Sequence, residues 1–295
     1  MIYSAIHITR QLYQSPVSQS LNELRLTPRS LPGQQVRQVN ISIEPEPATW
    51  QSRKDYFGNE VITVGVYEPH GRLVIEAKSV VEVEAPSLDA LSPMSWEQAR
   101  DLIAAHPDDE SLAALEFVYD SPFIAAADEL AEYARPSFPP GRPLAEALLE
   151  LSHRIYTEFK YKPNSTSIEM PLLEVLGNRQ GVCQDFAHVM IGALRSLRLP
   201  ARYTSGYLRS SPGSHGAEAS HAWVAAFVPG SGWLSYDPTN DVMPTDRHLT
   251  LAWGRDYGDV TPVKGVAVGG GSHSVEVEVM VKAMESNETA GPVAD

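Results

Sequence analysis

Residues 181–188 read Gly-Val-Cys-Gln-Asp-Phe-Ala-His, and they place the only cysteine of the chain, Cys183, where an apolar helical pattern begins. The first turn of a helix leaves backbone N–H groups unpaired and carries the positive end of the helix dipole, and both favour a thiolate. The pattern continues to Leu197 and is ended by Pro200. We therefore predict a helix that presents Cys183 at its N-terminus as a nucleophile.

Two later stretches supply the partners that a thiol nucleophile needs. Residues 220–223 read Ser-His-Ala-Trp around His221, and residues 235–239 read Ser-Tyr-Asp-Pro-Thr around Asp237. An imidazole that takes the thiol proton, and a carboxylate that orients the imidazole, complete a Cys-His-Asp triad. The sequence therefore predicts covalent acyl transfer through a thioester on Cys183.

The spacing of His221 and Asp237 is compatible with contact across a hairpin whose turn lies at 229–231. If Val228 pairs with Gly232, the two residues become diagonal neighbours on one face, within reach of each other's side chains. A four-residue loop would reverse the parity and place them on opposite faces. The triad thus requires a loop with an odd number of residues, or a bulge, and a glycine of the turn can supply the positive φ.

Further candidates surround this triad. The backbone N–H of Cys183 is expected to help hold the oxyanion, and Tyr161 and Gln184 are candidates for the additional support. We interpret His188 as a core histidine with one hydrogen bond. The group of Cys183, His188 and His221 matches no standard zinc spacing and lacks a second cysteine, so we expect neither a metal nor a cofactor.

Composition limits the classes of partner. A hydrophobic content of 43% over 295 residues supports a real core, and a net charge of -14 argues against binding of a nucleic-acid backbone. One cysteine cannot form an internal disulfide, which favours a cytoplasmic location. The N-terminus lacks the apolar region of a signal peptide, and no stretch has the length of a membrane helix. We expect a peptide or protein substrate and no membrane partner, while a homo-oligomer stays open.

The organisation of the chain predicts an α+β protein. Residues 1–90 alternate like strands and predict a β-rich domain of about six or seven strands, folded as a sandwich or a barrel. A linker near 85–93 leads to a catalytic core at 91–285, and residues 286–295 form a flexible tail. Within the core we predict a capping box at 95–98, a helix with an apolar face from Leu144 to Phe159, three strands between 201 and 236, and a late strand near 275–281.

Several stretches resemble bacterial transglutaminase-like proteins. The likeness lies in residues 181–188 and 194–208, in 220–223 and 233–241, in 254–262, and, for a β-rich domain that precedes such cores, in 24–29 and 57–59. The resemblance implies a papain-like fold with helices packed on an antiparallel sheet. It also implies a catalytic triad on Cys183, His221 and Asp237. No calcium-site pattern like that of animal transglutaminases is evident, so we expect no metal requirement.

The resemblance leaves the reaction open, because the superfamily includes protein crosslinkers, peptidases, amidases and inactive scaffolds. We favour amide hydrolysis by a cysteine peptidase or amidase, since water needs no second binding site. The alternatives are a protein-glutamine gamma-glutamyltransferase and a non-catalytic binding scaffold. In the transferase an amine, rather than water, attacks the thioester. In the scaffold no thioester forms.

Overall fold

The computed structural model describes residues 1–85, 92–105, 108–163, 170–210, 215–216 and 219–284. Most of the predicted linker and the whole predicted tail lie outside these ranges. The described residues form a β-rich N-terminal part and a mixed core of helices on an antiparallel sheet. The expected α+β class is therefore confirmed.

The N-terminal part contains five strands, fewer than the six or seven predicted, because its first strand is a single element of 23 residues. The strands are β1 (Ile2–Leu24), β2 (Gln34–Glu44), β3 (Thr49–Lys54), β4 (Glu60–Val66) and β5 (His70–Val83). They are antiparallel, in the order β2-β5-β1-β4-β3. Alternating burial along β1 and β5 follows the two-residue period of a strand with one packed face.

Two strands from the end of the chain complete this sheet. They are β12 (Val263–Gly269) and β13 (His273–Ala283), and both pair antiparallel with β1. The sequence analysis placed these residues in the core at 91–285, whereas in the structure they belong to the seven-stranded N-terminal sheet. Strand β13 confirms the predicted late strand, but alternation alone names no partner, and this partner lies more than 250 residues away along the chain.

The helices lie in the second part of the chain. They are α1 (Trp96–Ala104), α2 (Asp109–Leu115), α3 (Asp128–Ala134), α4 (Leu144–Glu158), α5 (Leu172–Asn178), α6 (Cys183–Ser196) and α7 (Tyr257–Val260), with 3₁₀ turns at Glu116–Val118 and Arg135–Ser137. The predicted capping box is confirmed, since the Ser95 side chain accepts from the Gln98 N–H and the Gln98 side chain accepts from the Ser95 N–H. None of the helices in the described ranges is long and apolar enough to cross a membrane.

The second sheet carries the core. It has the order β10-β9-β8-β11, with β8 (Ala201–Leu208), β9 (His221–Val228), β10 (Gly232–Tyr236) and β11 (His248–Gly254). A short parallel pair, β6 (Lys160–Tyr161) and β7 (Gln180–Gly181), lies immediately before α6. Helix α6 packs against β8 and β9 and is buried along nearly its whole length, with α3, α4 and α5 around it. The sequence analysis did not predict β11.

Two amide side chains join the N-terminal part to β11. Gln34 donates to the Thr250 carbonyl and accepts from the Thr250 N–H, both at 2.8 Å. Asn59 does the same for Trp253, at 2.9 and 3.0 Å. Each amide thus satisfies one residue of a sheet edge as a neighbouring strand would. These contacts form a seam between the N-terminal part and β11. Arg29 adds to the seam, since its guanidinium lies 3.5 Å from the Trp253 ring centroid.

Asn59 is fully buried, and Asn59→Ala removes the partners of both Trp253 backbone groups. Unpaired buried polar groups are costly, so we expect the free energy of unfolding to fall by about 2–4 kcal/mol. Chemical denaturation measures this value. The exposed Asn40 of β2 provides the control, and Asn40→Ala should change stability by less than about 0.5 kcal/mol. Equal effects of the two substitutions would contradict the role assigned to Asn59.

Candidate active site

The start of α6 is built by three residues around the cysteine. Val182 is the N-cap residue, and the Asp185 carboxylate reaches back to accept its N–H at 2.8 Å. Gly181 is required there, because a Cβ at this position would lie 2.5 Å from the Asp185 carboxylate. Cys183 is then the first residue of the helix and is 8% exposed. The predicted helix start is confirmed, and it places the thiol beside the unpaired N–H groups of the first turn.

The hairpin of β9 and β10 brings His221 to Asp237. Val228 pairs with Gly232, as the spacing required, and the loop of three residues keeps the parity. Both Gly230 and Gly232 have positive φ, at 81° and 75°. The His221 Nε2 atom lies 2.8 Å from Asp237 Oδ2, and both residues are buried. The predicted contact between the two side chains is therefore confirmed.

The Asp237 carboxylate is held from two sides. Its Oδ1 atom accepts the backbone N–H groups of Thr239 and Asn240, at 3.0 and 3.3 Å, in a local turn of the Asx kind. Its Oδ2 atom accepts from His221 at 2.8 Å, from the Asn240 amide at 2.8 Å and from His248 at 3.1 Å. A carboxylate buried without such donors would be strongly destabilising, so this network fixes both its charge and its direction.

The pair is polarised toward imidazolium and carboxylate. Burial disfavours the charged form of His221, but the charge and hydrogen bond of Asp237, followed by Cys183, raise its pKa to about 10. Burial likewise favours a neutral Asp237, but the charge and hydrogen bond of His221, and then those of His248, hold its pKa well below the usual range. Because these pKa values differ from those of the unfolded chain, the stability of the folded protein falls at both high and low pH. The His221 contribution to stability is lost as the pH rises toward 10, and the Asp237 contribution is lost in strong acid.

The second nitrogen of His221 is left for the thiol. Nδ1 is buried and makes no hydrogen bond of standard geometry to the residues that the structure describes. Cys183 nevertheless lies close enough to interact with this ring, and the interaction adds to the raised pKa of His221. Gly216 packs against the same edge, since a Cβ built on it would be 2.5 Å from Nδ1. The ring is thus enclosed by Asp237 at one nitrogen and by Gly216 at the other.

The two support candidates differ in their placement. Tyr161 of β6 pairs with Gly181 of β7, and Gly181 precedes Cys183 by two residues along the chain. The Tyr161 ring stacks on His215, with centroids 4.5 Å apart. Gln184 is half-buried and makes no side-chain hydrogen bond within the described ranges. The assignment of either residue to the oxyanion stays a prediction.

Sequence reasoning missed four residues of this region. Asn240 and His248 bind Asp237. Burial is the main cause that raises the pKa values of Tyr203 and Tyr257, and both lie close enough to Cys183 for its charge to raise them further. Asn240 follows the quoted stretch around Asp237 by one residue, so a wider window would have included it. His248 begins β11, where Leu249, Leu251 and Trp253 recur at every second position, a signal that could have predicted this strand.

The remaining histidine and the metal question follow from the same contacts. His188 is buried and its Nε2 atom accepts the Tyr257 N–H at 3.2 Å, which confirms the predicted core histidine with a hydrogen bond. Burial lowers its pKa to about 4. Ligand atoms of His221, Asp237 and His248 lie within 4.8 Å of one another. Direct hydrogen bonds between them already use these atoms, at 2.8 and 3.1 Å. The three groups are thus paired with one another, with the carboxylate as acceptor of both histidines.

Comparison with known families gives two matches. Residues 3–82 match the family described as the bacterial transglutaminase-like N-terminal region, and residues 131–238 match the transglutaminase-like superfamily. The second match contains Cys183, His221 and Asp237. The first contains Gln34 and Asn59, the residues that contact β11.

Relatives and solved structures agree with these matches. An uncharacterized protein of Mycobacterium bovis is 39% identical over 301 residues, covering 97% of this chain and 94% of its own. A protein-glutamine gamma-glutamyltransferase of Pseudomonas aeruginosa is 32% identical over 127 residues, covering 41% of this chain and 18% of that protein. A crystal structure of a Cytophaga hutchinsonii protein, assigned there as a candidate cysteine protease, superposes with a TM-score of 0.73 and 19% identity, covering 99% of this chain and 94% of that one.

The last of these similarities concerns the fold, because its sequence identity is low. The first extends over nearly the full length of both chains at an identity that shows common descent. Together with the two family matches, it establishes that this chain belongs to the transglutaminase-like superfamily, in the group that carries the bacterial transglutaminase-like N-terminal region.

Proposed function

We propose that this protein is a cysteine-dependent acyl-transfer enzyme that hydrolyses amide bonds of peptide or protein substrates. Cys183 is the nucleophile, His221 the acid and base, and Asp237 the residue that orients and charges the imidazole. The observation that carries the proposal is His221 itself. One of its nitrogens is bound to a buried carboxylate, its other nitrogen makes no standard hydrogen bond to the described residues, and Cys183 lies close enough to help raise the pKa of the ring.

The reaction runs in two halves on these groups. The Cys183 sulfur attacks the substrate carbonyl carbon, and the oxyanion forms near the N–H groups at the start of α6. The His221 imidazolium then donates its proton to the leaving amine as the C–N bond breaks. In the second half His221 accepts a proton from water, whose oxygen attacks the thioester. The C–S bond then breaks, the acid product leaves, and the Cys183 thiolate is regenerated beside the His221 imidazolium.

Amine transfer is the second candidate, and a specific observation favours it. The 127 residues shared with the Pseudomonas aeruginosa protein come from a protein named as a protein-glutamine gamma-glutamyltransferase. In that reaction a lysine amine, rather than water, attacks the same thioester. The two reactions therefore share Cys183, His221 and Asp237 and differ only in the second half.

Because the chain has one cysteine, alkylation reports on Cys183 alone. We expect iodoacetamide to label the wild-type protein at pH 6 at least about tenfold faster than His221→Ala, since the imidazolium stabilises the thiolate. The rates should converge above pH 9, where a thiol ionises without help. Asp237→Asn should resemble His221→Ala, because Asp237 is what raises the pKa of His221. Mass spectrometry of timed samples gives the rates, and equal rates at pH 6 would refute the triad.

Gly216 tests the space around the reacting nitrogen. Gly216→Ala should slow the alkylation of Cys183 about tenfold, because the new methyl group would overlap His221 Nδ1. Its φ of 80° also strains any side chain, so the control must share that strain. Gly230 has φ 81° and open space for a Cβ, and Gly230→Ala should leave the rate within about twofold. Similar slowing in both variants would assign the effect to the backbone instead.

The final step is distinguished by the acceptor. Casein and glutamine-containing peptides are incubated with a fluorescent primary amine, with Cys183→Ser as the inactive control. Hydrolysis predicts new amino termini or released ammonia that depend on Cys183, with little amine incorporated, because water needs no binding site of its own. Incorporation that depends on Cys183 and exceeds hydrolysis would show instead that the thioester is passed to amines.

A further inference from the structure

His248 is a second histidine on the carboxylate of the proposed triad. It is the first residue of β11, and its Nε2 atom lies 3.1 Å from Asp237 Oδ2, the oxygen that also accepts from His221. Its ring and that of His221 have centroids 6.1 Å apart. The structure therefore places Asp237 between two imidazoles, and the mechanism described above uses only one of them.

The position of the His248 ring is fixed by its surroundings. The residue is 6% exposed, and its backbone is held by pairing with Leu208 of β8. The Trp223 ring stands edge-on to it, with centroids 5.2 Å apart. A side chain held on several sides has already lost its rotamer freedom, so it can hold the carboxylate at little further cost in entropy.

The protonation state of His248 follows from the groups that face it. Its Nδ1 atom is buried with no hydrogen-bond partner among the described residues, so a proton there would lack an acceptor. Burial is the main cause that lowers its pKa; Asp237 opposes this, while His221 and Arg247 add to it. Glu84, the residue after β5, lines the same cavity as His248. A neutral ring that keeps its proton on Nε2 satisfies these contacts, and this tautomer is a donor to Asp237.

We propose that His248 is a positioning residue for the proposed acyl-transfer site, donating Nε2–H to Asp237 Oδ2 so that the carboxylate stays directed at His221. This inference rests on the proposed function, because it assigns His248 a role in supporting that triad. Without this donor, Oδ2 keeps, from the part of the chain that the structure describes, His221 and the Asn240 amide, and the carboxylate has more freedom to rotate away from the reacting imidazole.

Two substitutions separate the donor from the packing. In His248→Gln the side-chain amide retains an N–H at about the same distance along the side chain, whereas His248→Leu keeps apolar bulk and removes the donor. The readout is the rate of Cys183 alkylation between pH 5 and 10. We expect His248→Gln to stay within about threefold of wild type, and His248→Leu to be about ten- to a hundredfold slower at pH 6, the rate equivalent of one hydrogen bond to a charged group.

His7 provides the matched control. It is also a buried histidine with an unpartnered Nδ1 among the described residues, but it is bonded to Thr9 in the N-terminal sheet. His7→Leu should lower thermal stability and leave the alkylation rate within about twofold of wild type. A folded His248→Leu protein with a wild-type rate would overturn the proposal. So would a His248→Gln protein as slow as His248→Leu, since packing of the ring would then be the cause.

A measurement on the wild-type protein covers the case in which His248→Leu does not fold. Nitrogen-15 NMR of the histidine side chains should show His248 neutral, with its proton on Nε2, throughout pH 6–8. A neutral ring with its proton on Nδ1 would overturn the proposal, because its Nε2 atom could not donate to Asp237. Failure of the triad itself is recognised separately, because His221→Ala would then leave the alkylation rate unchanged whatever His248 does.

Discussion

The site depends on one buried negative charge. Asp237 has no exposed surface, and a carboxylate in such a place costs several kcal/mol unless donors surround it. Among the described residues, five hydrogen bonds meet it, from two backbone N–H groups, one amide and two imidazoles. These donors come from β9, from β11 and from the turn after β10, so the buried carboxylate is surrounded by all of them only when these parts of the sheet are formed. Charging of the His221 imidazole is thereby linked to folding of the core.

The N-terminal part contributes to this constraint through β11. This strand carries His248 at one end, and its outer edge is satisfied by the amides of Gln34 and Asn59. Strands β12 and β13 then return to the N-terminal sheet and hold the end of the chain against β1. The β-rich part therefore supports β11, the strand whose His248 contacts Asp237. Residues 24–29 and 57–59, which carried the resemblance, include the Arg29 and Asn59 of this seam.

Local patterns predicted what depends on local spacing. Cys183 at a helix start, the apolar face of α4 and the pairing of Val228 with Gly232 each follow from a few neighbouring residues. Contacts between distant segments were not predictable in this way. The pairing of β13 with β1, the amide caps on β11 and the bond from His248 to Asp237 join stretches whose sequences carry no mark of each other. Hydrophobic alternation identifies a strand, but it does not identify the neighbour of that strand.

The space beside the His221 imidazole is limited by contacts that also hold Asp237. The side-chain amide of Asn240 donates an N–H to Asp237 Oδ2, and the Oδ1 atom of the same amide accepts the His215 backbone N–H at 2.8 Å. His215 stacks on Tyr161, which is paired with Gly181 next to the cysteine helix. The His215–Gly216 backbone is thus tied to the carboxylate on one side and to the start of α6 on the other. Because Gly216 packs against His221 Nδ1, the position of this backbone determines how much space an acceptor has beside the imidazole. In the proposed reactions a water molecule would need less of that space than a lysine side chain, so the choice between hydrolysis and amine transfer would depend on the placement of His215 and Gly216 as well as on the triad.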